Sequence, residues 1–280
     1  MTAHHFSFEW QTQDGLMLRG RCYLPHSPQA LVALVHGFAE HIGRYTHVAA
    51  ALNARNYGFI GFDLRGHGLS EGRRGHTPSY EDLLENIREM LALAAEKFQG
   101  VPLFLYGHSM GGNLVANYII RHQPNYLKGV IITSPWLRLV QEPPLALKII
   151  AHLAYWVFPQ LMNPTKLDVT HLSKDISVQQ AYATDPLILR AISAGMFTLV
   201  SQAGRFAIRH ADKIALPLLL MHGLDDKITS VEATQQFAQR IKPDYLTEHY
   251  WENMRHELHN ETEKEQVINL IINWLDSKIN

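Results

Sequence analysis

Short apolar runs alternate along the chain with longer stretches in which apolar residues recur every three or four positions. The runs at 31–35, 58–62, 102–106, 130–133 and 217–221 are nearly continuous in apolar residues, and a later one lies at 248–251. Such runs predict strands buried on both faces, as in a parallel sheet covered by helices. The intervening stretches 45–55, 80–98, 110–121, 231–240 and 263–277 predict the covering helices. Ser79, with Asp82 three residues on, reads as a capping box at the start of the second. Near the N-terminus, 6–10 and 16–23 alternate apolar and polar residues around Asp14-Gly15, a hairpin signal.

The rhythm breaks between Pro135 and about Ala211. No strand candidate stands out there, and apolar residues recur at helical spacing. The expected organisation is an α/β core over 1–134 and 212–280, with a helical cap inserted over 135–211. The most apolar part of the insertion, 145–162, is about long enough to span a bilayer but carries Lys148, His152, Pro159 and Gln160. It reads as the greasy helix of a water-soluble fold.

Composition narrows the picture. The 280 residues are 46% hydrophobic and 18% charged, with a formal net charge of −1. That balance predicts a packed globular chain and gives no basic surface for nucleic acid. The single cysteine, Cys22, excludes an intrachain disulfide, and it sits in an alternating run where a packed thiol is expected. The first residues lack a basic segment followed by an apolar one, so a cytoplasmic location is expected. Nothing in the sequence sets an oligomeric state.

The chemistry begins at Gly107-His108-Ser109-Met110-Gly111, which follows a predicted strand and opens a predicted helix. A serine on a sharp strand-to-helix turn is lifted clear of the sheet, and glycines two residues on either side relieve the crowding. Acyl transfer at Ser109 needs two backbone donors for the oxyanion. Met110 N–H follows the serine, and Phe38 N–H, in the loop His36-Gly37-Phe38-Ala39 after an earlier strand, is the second candidate. In this arrangement the acid follows a late strand and the histidine follows the last one. Two aspartates compete in Gly223-Leu224-Asp225-Asp226, with Asp226 preferred over Asp225. His256 is the first histidine after the last strand, and His259 is the alternative. His256-Glu257-Leu258-His259 is one residue short of the zinc-binding HExxH spacing, so a metalloprotease is not expected. No metal or organic cofactor is called for.

Together these residues resemble one family, the monoacylglycerol lipase and lysophospholipase group of α/β-hydrolase serine hydrolases. The resemblance rests on the stretch from His36 through Glu40 and Arg44 to Tyr45, on Asp63-Leu64-Arg65-Gly66-His67-Gly68, and on the serine elbow. It also rests on Gly223-Leu224-Asp225-Asp226 and on a cap match from Leu172-Ser173-Lys174-Asp175 to Asp185-Pro186-Leu187. It covers nearly the whole chain. It implies the α/β-hydrolase fold with a mostly parallel sheet and a helical cap, Ser109, Asp226 and His256 as a triad, and a glycerol pocket lined from Glu40, Arg44 and His259. The plain reading of Glu40 and Arg44 is a local i,i+4 ion pair. Phe38 departs from the small residue that the family often carries there. The substrate implied is a monoacylated glycerolipid, with a short-chain carboxylesterase, a capped aminopeptidase and a lipid-binding pseudoenzyme as rivals. The greasy insertion reads either as a helix packed on the core or as a cap that builds an acyl tunnel and rests peripherally on a membrane.

Overall fold

The computed structural model describes residues 4–141, 157–165 and 167–279. Eight strands form one sheet in the order β1-β2-β4-β3-β5-β6-β9-β10. Strands β1 (His4–Gln11) and β2 (Met17–Leu24) form the antiparallel hairpin signalled by Asp14-Gly15, and β2 pairs antiparallel with β4. The remaining six strands are parallel: β3 (Ala30–Val35), β4 (Tyr57–Phe62), β5 (Leu103–His108), β6 (Leu127–Thr133), β9 (Leu218–Gly223) and β10 (Leu246–Trp251).

Helices cover both faces, which is why the central strands contain no exposed position. On one face α1 (Thr46–Asn53) and α7 (Lys264–Ile279) pack through Val48, Leu52, Ile271 and Leu275. The other face carries α2 (Tyr80–Lys97), α3 (Met110–His122), α5 (Ala194–His210) and α6 (Val231–Ala238). Ser79 and Asp82 close the expected capping box on α2, each side chain bonded to the other's backbone N–H.

The insertion differs from expectation in one respect. It contains a short antiparallel pair, β7 (Met162–Pro164) with β8 (Ala191–Ser193), where only helix was foreseen. Three-residue strands are too short for alternation to register. The helix expected over 145–162 falls largely outside the described residues, and Met162 already belongs to β7. The insertion also holds α4 (Ile176–Thr184), whereas α5 buries Met196, Val200, Ala203 and Ala207 in the same apolar cluster as α3. No described helix is long and apolar enough to cross a membrane.

The sheet order reverses between β3 and β5: the chain steps outward to β4 on one side and to β6 on the other. Loops leaving the carboxyl ends of β3 and β5 therefore diverge and leave a crevice, the usual ligand position in an open α/β sheet.

Candidate active site

Ser109 sits between β5 and α3 with φ 53° and ψ −115°. A non-glycine residue at positive φ is strained by about 1–3 kcal/mol and persists only when its surroundings over-determine it. Here three backbone bonds do so. Ser109 N–H donates to the Thr133 carbonyl at 3.0 Å, while its own carbonyl accepts from Asn113 N–H at 3.0 Å and Trp136 N–H at 2.9 Å. The flanking glycines are required by packing: a Cβ on Gly111 would run into the Val35 carbonyl oxygen, and one on Gly107 would meet the Gly111 carbonyl.

The loop after β10 brings His256 Nε2 to 2.9 Å from Ser109 Oγ. Its Nδ1 lies 2.7 Å from Asp226 Oδ2, on the loop after β9. An ionised carboxylate can only accept, so the Nδ1 proton faces Asp226 and Nε2 is left to accept from the serine hydroxyl. Asp226 is deeply held. Oδ1 takes the N–H groups of Ile228 (2.7 Å) and Thr229 (3.0 Å), and Oδ2 also meets Thr229 Oγ1 (2.8 Å) and His222 Nε2 (3.0 Å). Burial works to raise its pKa, but the His256 charge and the hydrogen bonds from His222 and His256 hold it far below the usual carboxylate range. Asp225, the competing aspartate, is exposed. For His256 burial works downward, and the Asp226 charge and hydrogen bond overcome it, so the imidazole is more basic than usual.

The loop after β3 passes in front of Ser109. Ala39 is at φ 71°, and Gly37 is wedged so that a Cβ would stand 2.8 Å from Glu40 Oε1 and 3.1 Å from Ser109 Cβ. Among the described residues, neither Phe38 N–H nor Met110 N–H has an acceptor. Phe38 borders the cavity above the serine, and Met110 is buried beneath it.

That cavity has a volume of about 420 Å³ and two unlike sides. One is aromatic: Phe38 meets Trp136 edge-on with centroids 6.4 Å apart, and Trp136 lies 5.9 Å from Phe197. The bulk of Phe38 thus extends the apolar wall and packs edge-on against His67. The other side is polar and includes Glu40, Tyr182 and Glu257.

The residues expected around a glycerol head are not equally placed. Glu40 reaches the cavity wall, whereas Arg44 lies behind it, bonded to Glu40 Oε2 at 2.9 Å and to both oxygens of Glu257 at 2.6 and 2.7 Å. The local Glu40–Arg44 pair is therefore formed, and a second carboxylate shares the same guanidinium. Burial raises the Glu40 pKa, opposed by Arg44. For Glu257 burial is outweighed by Arg44, which keeps it below the ordinary glutamate value. His259 is fully buried and stacks on Tyr45 at 4.5 Å, with His108 edge-on at 4.8 Å. Among the described residues its two ring nitrogens have no partner, and burial pushes its pKa well down, so it is a neutral ring behind the wall. Glu257, His222 and Thr229 were not singled out as site residues from the sequence, and Tyr182 entered only as part of the cap match. His222 was the accessible one, since it stands four residues before Asp226 at the end of a predicted strand.

Relatives share this architecture. The Hydrolase_4 family model, described as serine aminopeptidase, S33, matches residues 26–263. An abhydrolase domain-containing protein of Dictyostelium discoideum is 37% identical over 96% of this chain, which spans only 28% of that protein's length. The monoacylglycerol lipase of Mycolicibacterium smegmatis is 29% identical over 90% of each chain. The crystal structure of Paleococcus ferrophilus monoacylglycerol lipase superposes with a TM-score of 0.84 at 29% identity, covering 99% of this chain and 100% of that one. The chain is a carboxylic ester hydrolase of the α/β-hydrolase fold, belonging to the Hydrolase_4 family and related to its monoacylglycerol lipases.

Proposed function

We propose that Ser109 is the nucleophile, His256 the general base and Asp226 the acid of a monoacylglycerol-cleaving site. The observation that carries the reading is the hydrogen-bonded line Ser109–His256–Asp226 at the floor of a cavity with one aromatic and one polar side. His256 removes the hydroxyl proton as Ser109 Oγ attacks the ester carbonyl. Phe38 and Met110 N–H groups receive the oxyanion, each donor contributing about 3 kcal/mol to the transition state. His256 then protonates the leaving glycerol oxygen, and water activated by the same imidazole releases the fatty acid.

The acyl chain is assigned to the Phe38–Trp136–Phe197 side and the glycerol to the Glu40–Glu257 side. Uncharged hydroxyls can donate to those carboxylates. A phosphate on that side would meet two carboxylates, and the lysine among the described wall residues, Lys227, comes from a different loop, the one after β9. This favours a monoacylglycerol over a lysophospholipid. An aminopeptidase needs a carboxylate free for an α-ammonium group; Arg44 already engages both wall glutamates, and the wall's Asp168 accepts from the Thr170 N–H and hydroxyl. Exposed Val157, Phe158 and Leu161 give the insertion an apolar rim suited to a lipid surface.

The test is fluorophosphonate labelling, with Ser109→Ala as control, followed by a panel of monoacylglycerols, lysophospholipids and short esters. Labelling that requires Ser109 and turnover highest on long-chain monoacylglycerol are expected. Full ester hydrolysis by Ser109→Ala would refute the nucleophile, a lysophospholipid preference the head-group assignment, and a preference for short esters the acyl one.

A further inference from the structure

We propose that Arg44 is a positioning residue that clips the oxyanion loop to the loop carrying His256, rather than a group that touches substrate. The inference rests on the triad and oxyanion roles proposed above. The two loops leave β3 and β10, which are four strand spacings apart in the sheet, roughly 19 Å at about 4.8 Å each. Both must reach over the sheet to meet at Ser109. Hydrogen bonding within the sheet therefore does not by itself hold Phe38 N–H in register with the His256 imidazole.

Arg44 supplies that register through an unbroken chain of bonds. Gly37 N–H, one residue before Phe38, donates to Glu40 Oε1 at 2.6 Å, and Tyr45 hydroxyl donates to the same oxygen at 2.8 Å. Arg44 Nη1 takes the other oxygen of Glu40 at 2.9 Å. The same guanidinium grips Glu257, the residue after His256, with two parallel bonds of 2.6 and 2.7 Å. Asn260 Nδ2 donates to Glu257 Oε2 at 2.8 Å and steadies that end. Side-chain exposure is only 10% for Arg44 and 3% for Glu40 and for Glu257. The planar fork explains the choice of arginine: a lysine ammonium has the charge but cannot make two parallel bonds to one carboxylate while reaching a second.

A group aligned this way acts on the transition state. The ground-state ester needs little from the oxyanion donors, whereas the tetrahedral species needs donor and imidazole placed together to within tenths of an ångström. Misplacement by about 1 Å typically costs about 100-fold in rate. A residue contacting the glycerol head would instead act mainly on KM.

The experiment compares wild type, Arg44→Lys and Glu257→Gln. It measures kcat and KM on a monoacylglycerol, and binding of an alkyl boronic acid, which forms a tetrahedral adduct with the active serine. For both variants kcat should fall about 10- to 100-fold, and boronate affinity should fall in parallel with kcat; KM should change less than threefold for Arg44→Lys, whereas Glu257→Gln, whose carboxylate also borders the glycerol side, should raise KM as well. Combining Glu40→Gln with Glu257→Gln should cost less than the product of the single losses, since both act through one guanidinium. A rise in KM at unchanged kcat, or boronate affinity held while kcat falls, would overturn the clip. If Arg44→Lys does not fold, the fall in kcat and in boronate affinity of Glu257→Gln carries the test, and a rise in its KM alone at unchanged kcat is the refutation. Wild-type protein that neither labels nor cleaves esters would instead overturn the triad reading.

Discussion

Replacing Asp226 with asparagine should remove nearly all turnover, and the structure says why the isosteric change is so severe. Oδ1 accepts two backbone N–H groups, from Ile228 and Thr229. An amide NH2 placed there would set donor against donor. The asparagine must therefore keep its oxygen at the Oδ1 position and turn its NH2 toward the place of Oδ2. That group then faces His256 Nδ1, which stood 2.7 Å from a carboxylate oxygen. Nδ1 must become an acceptor, so the proton moves to Nε2, and Nε2 can no longer take the proton of Ser109. The same wrong-tautomer substitution in another serine hydrolase lowers kcat by about 10⁴-fold. At about 1.36 kcal/mol per tenfold, that is about 5 kcal/mol of transition-state stabilisation. The assay is kcat on a p-nitrophenyl ester near pH 7.5, with Asp225→Asn as the control expected within twofold of wild type. A loss below tenfold for Asp226→Asn, or a larger loss for Asp225→Asn, would refute the tautomer argument.

Two further outcomes follow from the same geometry. Because Asp226 raises the His256 pKa against the effect of burial, kcat/KM should decline as pH falls through a value above the ~6.5 of free imidazole; below it the ring is protonated and cannot act as base, and a midpoint under 6.5 would count against that balance. Phe38→Ala should open the aromatic wall and raise the ratio of kcat/KM for long over short acyl esters several-fold, since each buried methylene contributes about 1 kcal/mol; an unchanged chain-length profile would remove Phe38 from the acyl side.

The fold was legible because the central strands are buried on both faces and so read as unbroken apolar runs. Ser109 was legible because its two glycines answer a packing demand at Val35 and Gly111 that other residues cannot meet. The two aspartates were less so: Asp226 was preferred on the family resemblance with Asp225 left as the rival, and in the structure they differ in burial and in the hydrogen bonds that Asp226 receives. His256 and His259 are both buried three residues apart, and they differ in what they face, a serine and a carboxylate or a tyrosine ring. Glu257 was hidden for a different reason. Its partner Arg44 lies 213 residues away in the chain, and a glutamate in a polar loop signals solvent until the fold shows it buried. The strand pair β7–β8 escaped because three residues carry no period.

The histidines explain how one imidazole becomes distinct among many. Of the 17 in the chain, several crowd the catalytic floor. Burial pushes His36 and His67 down to about 3, and pushes His108 and His259 well below their ordinary value. The His108 ring lies 4.9 Å from that of His256, so the two share nearly the same desolvation. What differs is the counter-charge. His108 Nδ1 meets the neutral Thr133 hydroxyl, whereas His256 Nδ1 meets the Asp226 carboxylate. In the proposed mechanism the proton leaving Ser109 settles where a carboxylate compensates it, which the His108 and His259 rings lack; His222 Nε2 also meets Asp226, at 3.0 Å, but among the described residues no hydrogen bond joins it to Ser109. On that mechanism proton transfer falls to His256, which has the carboxylate at one ring nitrogen and the serine oxygen 2.9 Å from the other.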